Sequence, residues 1–139
     1  MSITSAELAM VRGSLDRLRK DFEVHSTNFY DALFRRAPHL RQMFREDLTG
    51  QGMKFMTTLD VIVHKLDNED ELASRYQGLG RSHAIMGVRT ADFAPMEDAL
   101  IETMRSALGD EFTAELEQAW RKAYAVVSRN MIRRGGIEA

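Results

Sequence analysis

The chain has 139 residues, 44% of them hydrophobic and 29% charged, with a formal net charge of −2. That length suffices for one domain with a buried core, and the charge balance offers no purchase to a nucleic acid or an anionic membrane. Cysteine is absent, which excludes disulfides, iron–sulfur clusters, thiolate zinc sites and a thiol nucleophile.

In chain order, apolar residues recur with a period near 3.6, and clean alternation of period 2 is missing. Thr4-Ser5-Ala6-Glu7 has the form of a capping box, and Leu8, Val11, Leu15 and Leu18 follow it on one helical face. A second helix carries Phe22, Ser26, Phe29, Tyr30 and Leu33. Pro38 suits the first turn of a short helix holding Leu40, Met43 and Phe44. The polar segment REDLTG, residues 45–50, reads as a loop. A longer helix from about Gln51 shows Phe55, Leu59, Ile62 and Leu66. DNEDE, residues 67–71, breaks it. Leu72, Tyr76, Leu79, His83 and Met86 mark the next helix, which Gly87 stops. Phe93, Met96, Leu100, Met104 and Leu108 follow, ended by Gly109. Leu116, Trp120, Tyr124, Val127 and Met131 mark the last helix before the tail RRGGIEA.

These segments predict an all-α single domain over residues 1–139, of about seven helices, two of them short. The core spans about 5–134, and a short tail follows it. The N-terminal stretch has charges inside any apolar run, unlike a signal peptide. No run approaches the roughly 20 apolar residues of a membrane span. The expected compartment is the cytoplasm.

Motifs for common chemistries are missing: there is no HExxH, GxSxG, glycine-rich phosphate loop or EF-hand loop. The four histidines are His25, His39, His64 and His83, and no pair has the spacing of a metal site on one helix. On an ideal helix His64 lies about 180° from Phe55 and His25 about 140° from Tyr30. His39 follows a proline in a short turn. These three read as surface residues, whereas His83 lies close to the stripe of Leu72, Tyr76 and Leu79. Its Nδ1–H can reach the carbonyl of Leu79, leaving Nε2 to face a cavity. A lone histidine on an apolar face is more often a packed residue with one hydrogen bond than a ligand, and the residues alone leave that open.

Several stretches together carry a resemblance: Phe29-Tyr30, Pro38, Phe44, QGMKFM at 51–56, LGRSHAIMGV at 79–88 and AWRKAYAVV at 119–127. In this order and spacing the chain resembles the globins over roughly residues 5–134. It is most similar to bacterial single-domain globins related to flavohaemoglobin globin domains, and to neuroglobin. The resemblance implies a globin-like fold around a haem b pocket, with His83 as the proximal iron ligand. It places Tyr30 and Gln51 on the distal side as hydrogen-bond donors. Phe44, Phe55, Leu79, Val88, Phe93, Met96 and Tyr124 fall at wall positions. Tyr30 is also compatible with a buried tyrosine bonded to backbone. Lys54 suits either a haem propionate or solvent. Only seven positions separate Phe44 from Gln51, so the fourth small helix of longer globins is expected to be absent.

The function so implied is reversible binding of O₂, NO, CO or a similar diatomic ligand. Alternatives are an NO dioxygenase served by an external reductase, and a haem-based sensor. Two positions depart from the flavohaemoglobin pattern, in which a tyrosine and a glutamate support the proximal histidine: Phe93 and Gly135 stand there. No flavin or nicotinamide domain is expected after the globin segment.

Overall fold

The computed structural model describes residues 3–43 and 48–137, without the side chains of Met43, residues 48–55, Glu69 and Met86. Phe44 lies outside the described residues, as do the side chains of Gln51, Lys54 and Phe55. Six α-helices occur among the described residues: α1 Ser5–Leu18, α2 Phe22–Arg36, α3 Leu48–His64, α4 Glu69–Met86, α5 Phe93–Leu108 and α6 Ala114–Gly135. Short 3₁₀ turns at Arg19–Asp21, Pro38–Met43, Thr90–Asp92 and Gly109–Glu111 join several of them. No strand is present among the described residues.

The ends follow local chemistry. Thr4 Oγ1 accepts from the Glu7 amide while the Glu7 carboxylate accepts from the Thr4 amide, at 3.1 and 3.0 Å. This capping box satisfies two otherwise orphan amides at the start of α1. Thr113 caps α6 with its side chain alone, accepting from the Leu116 amide at 3.1 Å. Arg12 closes α3 from outside, donating to the carbonyls of Val63 and His64 at 3.2 and 3.0 Å.

Two boundaries differ from the sequence reading. α3 begins at Leu48 rather than near Gln51, so part of the segment read as loop is helical. Thr49 and Gly50 are weak helix formers, which hid that first turn. α6 runs through Arg133 and Arg134 to Gly135, where the tail was expected. The stop comes one residue later, at Gly136 in the left-handed conformation (φ 70°).

The core is a continuous cluster drawn from every helix. α1 and α6 are joined inside it, where the Trp120 indole N–H donates to Ser14 Oγ at 2.8 Å and Ser14 Oγ donates to the Val11 carbonyl at 2.7 Å. Salt bridges tie the outer faces: Arg35 and Arg36 of α2 hold Glu102 of α5, and Lys122 of α6 holds Glu7 of α1. Among the histidines read as superficial, His64 and His39 are exposed and His25 is half-buried.

Candidate functional site

The site begins with the way α4 ends. Gly87 takes φ 97°, a conformation that favours glycine. It lets the Val88 amide turn back onto the His83 carbonyl at 3.0 Å, beside the bond from the Gly87 amide to Ala84. This is a Schellman closure, and it buries Val88. One turn before the stop stands His83, half-buried, with Nδ1 2.7 Å from the Leu79 carbonyl. A carbonyl can only accept, so Nδ1 carries the proton. In the neutral ring Nε2 is then a bare lone pair, and no partner for Nε2 is found among the described residues.

His83 opens on an apolar cavity between α2, α3, α5 and α6. Of the wall positions taken from the sequence, Phe93, Met96 and Tyr124 line it with His83. The Phe93 ring stands 6.4 Å from the imidazole, tilted by 34°. Leu79 and Val88 do not line the cavity among the described residues. Leu79 contributes its carbonyl, and Val88 packs in the core behind the α4 stop. Phe29, Leu59, Val63, Trp120, Val127 and Met131 also line the cavity, although none was singled out as a wall residue from the sequence. Their signal was the helical stripe itself, which marks core and cavity alike.

Tyr124 is the polar exception in the wall. Its hydroxyl donates to the Phe93 carbonyl at 2.9 Å, pinning the start of α5 to α6. Burial, followed by the nearby carboxylates of Glu97 and Asp98, pushes this hydroxyl's pKa far up, so it stays a donor. Tyr30 is buried on α2 and is not part of the cavity's described wall. Its ring meets Phe29 edge-on at 5.2 Å and stacks on Phe34 at 5.8 Å. Burial pushes its pKa up to about 12, so the phenol keeps its proton at neutral pH.

On the proximal side there is no room for a carboxylate at position 135. A Cβ on Gly135 would fall 2.3 Å from the backbone of Gly80. The Leu79 carbonyl is therefore the hydrogen-bond partner that holds the His83 ring. Away from the cavity, Asp16, Asp60 and His64 approach within 4.8 Å of one another. Arg19 donates to both carboxylates there, so the cluster is an ion-pair network with its cation already in place. No described helix is long and apolar enough to cross a membrane.

Comparison with known proteins agrees with this architecture. The family model described as "Globin" matches residues 27–131. The chain is 29% identical to a neuroglobin of Tetraodon nigroviridis, covering 94% of this chain and 91% of that protein. It is 27% identical to an anaerobic nitrite reductase of Brassica napus, covering 87% and 84%. It is 26% identical to a flavohemoprotein of Bacillus subtilis, where 94% of this chain corresponds to 33% of the larger protein. A family match over most of the chain, joined to an all-helical fold around a histidine-bearing cavity, leaves one conclusion: the chain belongs to the globin family.

Proposed function

We propose that the chain is a haem-binding globin that reversibly binds O₂ or another small diatomic ligand. The observation that carries this is His83: an imidazole whose Nδ1 is engaged by Leu79 and whose Nε2 is unpartnered among the described residues, on the wall of an apolar cavity. A cavity lined by one nitrogen donor and otherwise mostly by apolar side chains fits a flat apolar macrocycle with a single protein ligand. It does not fit a bare divalent ion, which needs three or four protein donors. Bound there, a haem b held by His83 would supply an iron able to bind O₂, NO or CO.

The chain's own residues then divide the work. His83 donates its Nε2 lone pair, and Leu79 fixes the ring and its tautomer. Phe93, Met96 and Tyr124 give the cavity shape and keep water out. By the resemblance Tyr30 and Gln51 would serve as donors to the ligand, and a hydroxyl with a pKa raised to about 12 is suited to give a hydrogen bond without losing its proton. By the same resemblance Phe44 and Phe55 would act as walls, and Lys54 would pair with a propionate. The domain spans residues 1–139 and works in the cytoplasm.

The test is an absorption spectrum of purified protein, ferric and dithionite-reduced, with and without CO. A Soret band that shifts on reduction and again with CO is expected. Protein that takes up no haem when supplied with it contradicts the reading. A second reading is enzymatic, NO dioxygenation with an external reductase, and the similarity to a flavohemoprotein favours weighing it. Sustained NO consumption with an added reductase supports the enzyme; a single stoichiometric burst supports the carrier.

A further inference from the structure

Where α4 crosses α6, the two helices touch through bare backbone. A Cβ built on Gly80 would lie 2.3 Å from the Met131 carbonyl oxygen and 2.7 Å from Gly135 Cα. One built on Gly135 would lie 2.3 Å from Gly80 Cα and C, and 2.7 Å from the Arg81 amide nitrogen. All these neighbours are helical backbone, so no side chain can swing aside. Gly13 and Gly78 lie inside helices too, yet a Cβ on either meets nothing within 4 Å. Glycine is disfavoured inside helices, and among the described helical glycines it is those at the crossing whose absent side chain answers a steric need.

The place of this contact matters more than its closeness. The atoms that press on α6 are Gly80 Cα and C and the Arg81 amide nitrogen, and the peptide just before them, Leu79–Gly80, carries the carbonyl that accepts from His83 Nδ1 at 2.7 Å. The imidazole, the Leu79 carbonyl that orients it and the backbone of α6 are thus linked through Gly80 Cα. We propose that Gly80 and Gly135 are a positioning pair: their contact sets how deeply α4 seats on α6, and so how His83 presents Nε2 to the cavity. A methyl group at either position would need the helices to part by roughly 1 Å to restore ordinary contact. His83 would travel with α4, while Tyr124 and Met131 of the cavity wall would stay with α6. The inference rests on the haem reading above and adds to it the element that fixes the ligand's seat.

The test uses holoprotein of Gly80→Ala, Gly135→Ala and the control Gly78→Ala. Resonance Raman of the ferrous forms reads the iron–histidine stretch, and transfer of haem to an excess acceptor reads retention. Both crossing variants should shift the stretch relative to wild type and lose haem roughly tenfold faster, with the control unchanged. In a His83→Gly background supplied with imidazole, the ligand is no longer tethered to α4, so Gly135→Ala should leave the stretch unmoved. A purely structural contact would lower the melting temperature without moving the stretch or the transfer rate, and that result overturns the proposal. Should both alanines prevent folding, a chain stopped after Arg134 removes the Gly135 side of the contact instead of crowding it, and the same readouts decide. Wild-type protein that binds no haem would contradict the haem reading itself, a different failure from a wild-type stretch in the variants.

Discussion

At the scale of single residues, most of the site's chemistry comes from two groups that hold their protons. Nδ1 of His83 donates to Leu79, and the buried Tyr30 hydroxyl has a pKa pushed up to about 12. A hydrogen bond to a group carrying charge is worth about 1.5–3 kcal/mol, or roughly 10- to 100-fold in a dissociation rate. Tyr30→Phe should therefore speed O₂ release by that factor and change CO release much less, as stopped-flow displacement would show. Gln51→Leu should act in the same direction and more weakly. Unchanged rates in the double variant would remove both residues from the distal role. His83 was legible from the sequence because one turn of helix spacing puts it on the stripe of Leu79 and Tyr76. The stopping glycine is legible too, since Gly87 directly follows the last periodic residue. Whether Nε2 has a protein partner was not legible in the sequence; none is found among the described residues.

At the scale of elements, the buried Trp120–Ser14–Val11 chain is the clearest tie between α1 and α6, and Trp120 also lines the cavity. Ser14→Ala removes the acceptor and leaves an indole N–H buried without it, at a cost of about 1–3 kcal/mol. Chemical denaturation should show that loss, while Ser128→Ala, whose hydroxyl bonds only within its own helix turn, should change stability by much less. Sequence pattern showed Trp120 on the inner face of its helix but gave no hint of a serine 106 positions away. The start of α3 and the end of α6 were missed for a related reason. Propensity reports the residues of one helix, whereas Gly135 is kept helical by packing against Gly80 on another. Contacts between distant backbone atoms leave almost no local trace beyond the glycines themselves.

At the scale of the whole molecule, ion pairs bind the faces of helices that lie far apart in sequence, and acid should loosen them. Lys122, together with the Thr4 amide, holds the Glu7 carboxyl down at about 2, against 4.5 for a free glutamate. Glu102 is lowered by Arg35 and Arg36, and Glu117 by Arg121 and Arg105. A carboxylate depressed in the folded state contributes stability above its unfolded pKa, and that contribution is lost as pH falls through the folded one. The melting temperature should thus drop between about pH 4.5 and 2, and less steeply in Glu7→Gln, which has no charge left to lose. An identical slope in the variant would place the acid sensitivity elsewhere.

The central claim is that one histidine joins this fold to its prosthetic group, and the haem content of His83→Ala tests it most directly. Measured as the pyridine haemochrome per mole of folded protein, haem in His83→Ala should fall far below wild type and recover in part with added imidazole. The same substitution at His25, His39 or His64 should leave the content and the Soret band unchanged. Wild-type haem content and an unaltered spectrum in His83→Ala would contradict the account.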